Sequence, residues 1–316
     1  MAGKKAAAPA CAKCGKMAAI TLRYMNSDFC QPHFTRFFES RFKRTVREYR
    51  MLKKGDRVAV GLSGGKDSCV MLHLLHKISQ SLPIGLFAIT IDEGIAGYRN
   101  RTLEVAKGEC EKLCVPLKVI SFREEFDSSL DALLRKKGEA RSCSYCGVMR
   151  RHLLNKAARE MNADKLAIGH NSDDVAQTVM MNFMRNEPER LARFGPVSGI
   201  VDDESFVPRI KPLFLTPERD VAAYAMMKGI EIDFQECPYA RHAMRQYVRT
   251  MLNEAEGKYP ATKLRIVRAF LSQHELLAEG AKGRLSAKGR GSVGKCGICG
   301  EPTSKEVCSL CLMLER

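Results

Sequence analysis

The 316-residue chain predicts an α/β fold, a doubly wound parallel sheet with a small cysteine-rich module at each end. Three observations carry that prediction. Short apolar runs rich in Val, Ile and Leu alternate with helical patterns, as strands covered on both faces do. A Gly-rich turn, Ser63-Gly-Gly-Lys-Asp-Ser68, sits where the first run hands over to the first helix. Cysteines fall in spaced pairs at both termini.

Length allows one large domain plus small modules. Apolar residues make up 45%, and no run of about 18 of them suggests a membrane span. The opening "MAGKKAAAPACAKCG" lacks the long apolar core of a signal peptide, so a cytoplasmic protein is expected. A net charge of +16 implies an acidic partner, most simply nucleic acid, against the plainer alternative of a generally basic surface.

Thirteen cysteines without a secretion signal point to metal or redox chemistry rather than disulfides. Cys11-x-x-Cys14 is followed by Cys30-x-x-His33, and Cys296-x-x-Cys299 by Cys308-x-x-Cys311. Two ligand pairs on tight turns suit a tetrahedral Zn²⁺, and four ligands close each site, so both read as structural. A third pair, Cys143-x-x-Cys146, has no such companion.

The elements follow in order. Residues 1–35 form the first zinc module, and residues 36–54 belong to a basic amphipathic helix with Phe34, Phe38, Phe42, Val46 and Tyr49 at helical spacing. A main α/β domain with C-terminal helices is expected over 55–279. Its strands are expected at 56–62, 84–92, 115–122 and 164–170, each followed by a helix: 66–79, 99–114, one near 127–137 joined to 146–161, and 172–185. A further strand ("FVPRIKPL"), a helix from "TPERDVAAYAMMKG", the short run "IEIDF" and helices at 240–256 and 260–279 complete it. Residues 280–295 read as a basic flexible linker into the second zinc module at 296–316.

The turn 63–68 is built for phosphate. Paired glycines let backbone N–H groups approach closely, and the helix N-terminus adds its positive end. It is not a Walker A loop, because Asp67 follows Lys66 and Val60 stands where the first Gly belongs. SGGKDS after a first strand resembles the PP-loop of the ATP pyrophosphatases. "DEGIAGYRN" (92–100), "CSYCGVMRRHLL" (143–154) and "GHNSDDVAQTVMMNFMR" (169–185), with both terminal cysteine clusters, resemble the tRNA 2-thiolation group of that superfamily. DEGI-GYR and CGV-RR lean toward the branch that modifies the wobble uridine over the branch that modifies a T-loop ribothymidine.

The resemblance implies ATP with Mg²⁺, bound by Gly61, Leu62, Ser63, Gly64, Gly65, Lys66, Asp67, Ser68, Ile91, Arg150 and Gly169. It implies catalysis by Lys66, Asp173, Arg150, Cys143 and Cys146. Arg150 stands where T-loop-branch members carry a catalytic Lys, and Arg can stabilise charge but cannot readily accept a proton. Cys237, in a loop after an apolar run, could face Cys143 and Cys146. Three thiolates suit a [4Fe–4S] cluster with one open iron, which the resemblance also implies; a redox pair or a catalytic persulfide is the alternative. Cys69, Cys110 and Cys114 read as buried core residues. Asp173 is expected in catalysis or metal binding, and Asp174 as a capping acid. Arg241, Arg245 and Arg249, four apart, form a stripe that could meet RNA phosphate.

The implied partners are tRNA, a sulfur donor (free sulfide or a ubiquitin-like thiocarboxylate carrier) and a second copy of the chain. Other PP-loop enzymes fit less well: a lysidine-type ligase has no use for the cysteines, and a tRNA cytidine thiolase lacks the terminal zinc modules. A non-enzymatic zinc-bearing RNA binder would make no AMP.

Overall fold

A computed structural model describes residues 9–197, 206–233, 235–242, 244–287 and 294–315. The N-terminal module is a small antiparallel ribbon, β1 (Ile20–Leu22) and β2 (Ser27–Phe29), followed by α1 (Gln31–Glu48). α1 starts earlier than expected because Pro32 occupies its first turn, where proline's missing N–H costs nothing. His33 therefore joins the helix. Phe34, Phe38, Phe42 and Val46 form its buried stripe, and Tyr49 is half-buried at its end.

The catalytic domain follows: β3 (Arg57–Gly61), α2 (Lys66–Ser79), β4 (Gly85–Asp92), α3 (Arg99–Lys112), β5 (Leu117–Ser121), α4 (Phe122–Phe126), α5 (Leu130–Lys137), α6 (Ser142–Glu160), β6 (Lys165–Ile168), α7 (Ser172–Met184), α8 (Pro188–Ala192), β7 (Arg209–Ile210), α9 (Glu218–Lys228), α10 (Met244–Lys258) and α11 (Thr262–Ala287). The five strands run parallel in the order β5-β4-β3-β6-β7. The first strand is central and the order reverses beside it, which opens a crevice at the carboxyl ends of β3 and β6. One core cluster packs α1, α2 and α9 against the sheet; another packs α5 and α6. A third joins α7, α10 and α11.

The C-terminal module is β8 (Gly294–Lys295), β9 (Pro302–Thr303) and α12 (Ser309–Leu314). It packs on the molecule: Cys296, Cys308, Leu310 and Cys311 share a core cluster with Met149, Leu153 and Ala157 of α6. Arg159 pairs with Glu301 at 2.5 Å, and Lys137 pairs with Glu315 at 2.7 Å.

Several expectations are corrected. α11 runs on to Ala287, into the stretch expected as linker, because Ala, Lys, Arg and Leu outweigh two glycines in helix propensity. Residues 288–293 lie outside the described residues. α3 ends at Lys112, so Cys114 sits beyond it, exposed and at φ 50°, while Cys110 is buried. The left-handed turn there lets the Val115 amide donate back to the Cys110 carbonyl at 2.9 Å and start β5. The expected 127–137 helix is α5, which starts at Leu130; a further short helix, α4, precedes it and ends at the left-handed Asp127 (φ 52°), and α6 begins early enough to include both Cys143 and Cys146. "IEIDF" forms no strand among the described residues; Asp233 makes a single parallel bridge to Gly65, since β3 already has both its neighbours. No helix among the described residues is long and apolar enough to cross a membrane.

Candidate active site

The phosphate loop is held from both sides. Gly64 adopts φ +81°, and a Cβ there would lie 1.9 Å from the Thr102 carbonyl oxygen, so only glycine fits. The Ser63 amide donates to Ser68 Oγ at 3.1 Å, and Ser68 Oγ donates to the Gly65 carbonyl at 3.0 Å. Gly61 ends β3, and Leu62 is buried with its amide on the Ile89 carbonyl at 2.9 Å. Ile91 is buried within β4, so only its backbone could face a nucleotide. Gly169 follows β6, where a Cβ would stand 3.1 Å from the Ser68 amide nitrogen; its absence lets the end of β6 approach the first turn of α2.

Lys66 lies between Asp67 (3.0 Å) and Glu218 (2.7 Å). Burial works against its charge, but the two carboxylates prevail and raise its pKa. Asp67 also accepts from Asn171 Nδ2 at 2.9 Å, tying the loop to α7. Asn171 caps α7: its Oδ1 accepts the Asp173 and Asp174 amides at 2.9 and 3.1 Å, and Asp174 Oδ2 accepts the Asn171 amide in return at 3.3 Å. Asp174 is the expected capping acid; burial, then the charge of Asp67, push its carboxyl up to about 6.

Asp173 does project from the strand edge, but it is buried and engaged. Its Oδ2 accepts the Glu218 amide at 2.9 Å and its Oδ1 pairs with Lys263 of α11. His170 is exposed at the crevice edge; desolvation by the surrounding walls, then the positive charges of Lys211, Arg245, Arg150 and Arg151, lower its pKa. The arginine stripe on α10 is used internally: Arg245 bonds Gln177 and Thr178, both at 3.1 Å, and Arg249 pairs with Glu236 at 2.6 Å. The side chain of Arg241 lies outside the described residues.

A chain of contacts, buried at Arg99 and Glu93, runs from the loop toward the third cysteine pair. Arg99 donates to the Ser63 carbonyl at 2.7 Å and to Thr90 Oγ1 at 2.6 Å, and pairs with Glu93 at 2.9 Å. Glu93 in turn lies 3.6 Å from Arg150. Cys143, Cys146 and Arg150 fall on one face of α6 at spacings of three and four. Cys237 stands opposite, on the loop that precedes a short turn; Cys143 Sγ is 3.9 Å from the Tyr239 carbonyl of that turn. Burial pushes the Cys146 thiol up to about 12, with Arg150 opposing. The three sulfurs do not gather as closely as the ligand atoms of the two terminal groups do. Three thiols from facing segments, with no fourth protein ligand beside them among the described residues, are the donor set that a [4Fe–4S] cluster with one open iron takes.

The terminal groups fit Zn²⁺. Cys30 Sγ lies 3.2 Å from His33 Nδ1, Cys14 Sγ lies 3.7 Å from Cys30 Sγ, and Cys299 Sγ lies 3.7 Å from Cys308 Sγ. Zinc–sulfur bonds of about 2.3 Å give a tetrahedral edge of roughly 3.8 Å. Backbone amides of Cys299, Cys308 and Ile298 hold the Cys296 thiol down to about 6, ready for a cation.

A cavity of about 700 Å³ opens beside the loop, walled by Lys66, Asp173, Glu218, Arg249 and Lys263 with Tyr24 of the N-terminal module. Arg150, Ile91 and the three cysteines are not among its walls. Glu218, Lys263, Glu93 and Arg99 are the members that pattern reading missed or undervalued. Glu218, an acid in the first turn after Pro217, had a local signal; Lys263 had none.

A PP-loop domain family model matches residues 34–256. The tRNA-5-methyluridine(54) 2-sulfurtransferase of Pyrococcus horikoshii is 34% identical over 95% of this chain and 92% of its own length. The tRNA 2-thiolation protein NcsA of Haloferax volcanii is 35% identical, over 96% of this chain and 98% of its own. Among solved structures, the U34-tRNA thiolase NcsA from Methanococcus maripaludis with its [4Fe-4S] cluster superimposes with a TM-score of 0.81 at 34% identity, covering 97% of this chain and 95% of that one. With the phosphate loop, the doubly wound sheet and the cysteine groups all present, the chain belongs to the tRNA 2-thiolation proteins of the PP-loop family.

Proposed function

We propose that the protein is an ATP-dependent tRNA-uridine 2-sulfurtransferase that forms AMP and pyrophosphate. The observation that supports this is the Arg99–Glu93 ion pair, which runs from the Ser63 carbonyl toward Arg150 on the α6 face that carries Cys143 and Cys146. The phosphates of ATP lie against the amides of Ser63–Ser68 at the start of α2, with Mg²⁺ beside them. The C2 oxygen of the uridine attacks the α-phosphorus and pyrophosphate leaves; a sulfur nucleophile then displaces AMP from C2. Charge grows on phosphate oxygens in both steps, and Lys66, released from Asp67 and Glu218, meets it. Arg150 adds a second cation and takes no proton. Asp173 can act on substrate only when Lys263 leaves it; until then the pair fixes α7 to α11. A [4Fe–4S] cluster held by Cys143, Cys146 and Cys237 would supply an open iron for the incoming sulfur.

The wobble uridine is the favoured target, on the DEGI-GYR and CGV-RR stretches. The T-loop position is the second reading, because the Pyrococcus relative is as similar as the Haloferax one. A homodimer, and free sulfide or a thiocarboxylate carrier as donor, belong to the same reading. So does a cytoplasmic setting, whose reducing conditions keep thiolate ligands available.

The test is metal content on anaerobically purified protein, followed by nucleoside mass spectrometry of product tRNA. About four irons and two zincs per chain are expected, with iron lost and zinc kept in Cys237→Ala. Two zincs and no iron after anaerobic reconstitution would overturn the cluster and move the sulfur chemistry to a persulfide on Cys143 or Cys146. No tRNA-dependent AMP from the loaded protein would overturn the enzyme.

A further inference from the structure

A second open space adjoins the catalytic cavity. This groove, of about 470 Å³, lies between α1 and α11, with Arg44, Arg265 and Arg268 among its walls and Tyr24, Phe37 and Leu264 as its apolar floor. Tyr24 and Leu264 also bound the cavity that reaches Lys66, so the groove leads into the site. No carboxylate lines it. Arg44, Arg265 and Arg268 are exposed. The fourth arginine of the groove, Arg41, is already committed to Asp220 and Tyr24, at 2.9 and 2.6 Å.

The half-buried Arg245 and Arg249 of α10 each pair with an acid, whereas Arg44, Arg265 and Arg268 have no ion-pair partner among the described residues. Like charges gathered on facing helices without a carboxylate repel one another, and the arrangement is favourable only beside a polyanion. Guanidinium groups fit phosphate oxygens in paired hydrogen bonds, and a line of them tracks a sugar-phosphate backbone without reading sequence. We propose that the α1–α11 groove is the track on which the tRNA backbone docks, delivering the target nucleotide to the cavity beside Lys66. This rests on the reading of the protein as a tRNA-modifying enzyme, and adds where the polyanion is gripped.

The test is tRNA affinity as a function of salt for the loaded protein and for a triple variant, Arg44→Gln with Arg265→Gln and Arg268→Gln. Each phosphate contact contributes about 0.7–0.9 to the slope of log affinity against log salt, so the variant's slope should be shallower by about two to three. At low salt its affinity should fall at least tenfold, with the loss in turnover expressed in KM for tRNA more than in kcat. Arg123→Gln, an exposed arginine beside β5, serves as the control and should keep the full slope. Coincident slopes for the triple variant and the unaltered protein, with tRNA turnover intact, would overturn the track alone and leave the groove to an acidic protein partner. Failure of the unaltered protein to bind tRNA at all would overturn both the track and the enzymatic reading.

Discussion

Lys211 shows how far a single buried cation can be read. It is 5% exposed and donates to the Gly195 carbonyl at 2.5 Å, and no carboxylate pairs with it among the described residues. Burial, then Arg209, push its amino group down to about 8 from 10.5. The folded protein thus binds fewer protons than the unfolded chain across that interval, so stability should rise as pH climbs from about 8 to 10.5. The full amplitude is on the order of 3 kcal/mol, and Lys211→Met should flatten the profile in denaturant titrations at stepped pH. An unchanged slope in the variant would refute the assignment. Arg99 carries a different prediction. Arg99→Ala leaves the buried Glu93 with only its longer contact to Arg150, a change that costs up to about 3–5 kcal/mol, and frees the Ser63 carbonyl that Arg99 holds. Both the melting temperature and ATP-dependent AMP formation should fall. Arg99→Lys should recover part of the stability but less of the activity, because an ammonium cannot span Ser63, Thr90 and Glu93 at once. Recovery of both in equal measure would reduce Arg99 to a structural ion.

Among the elements, the helices that carry function were legible wherever function coincides with spacing. The SGGKDS turn and the Cys143, Cys146, Arg150 face of α6 can be read from the chain because their geometry is local. The pairs Lys66–Glu218 and Asp173–Lys263 could not, since each joins residues 152 and 90 positions apart and depends on how α9 and α11 dock. Helix ends were misread for a related reason. Cys114 follows the helical pattern of α3, yet the chain must leave the helix early to enter β5, and tertiary demand overrides propensity. The loop itself gives the sharpest element-level prediction. Gly64→Ala sets a methyl against the Thr102 carbonyl at a positive φ, so α2 and α3 must shift or the loop must open. AMP formation should be lost while far-ultraviolet circular dichroism stays near that of the parent. Full activity in the variant would mean the loop rearranges at no cost.

For the molecule as a whole, the two terminal modules brace different halves. The N-terminal module locks to α9 through Tyr24, Arg41 and Asp220, with Tyr24 donating to Asp220 at 2.5 Å. The C-terminal module packs on α6, behind the cysteines. Substituting a zinc ligand in each should therefore separate two effects. Cys308→Ser should lower iron occupancy as well as stability, since α6 loses its backing. Cys14→Ser should weaken the contacts around α1 and leave iron in place. Equal iron loss in both variants would show that the modules act only through global unfolding. The docking of residues 294–315 on α6 also bears on how the protein is made. These residues leave the ribosome after every other described segment, so the helix presenting Cys143 and Cys146 stays unbacked until synthesis has passed them. Backing of the helix that presents Cys143 and Cys146 is therefore a late event in synthesis, dependent on a segment more than 140 residues further along the chain.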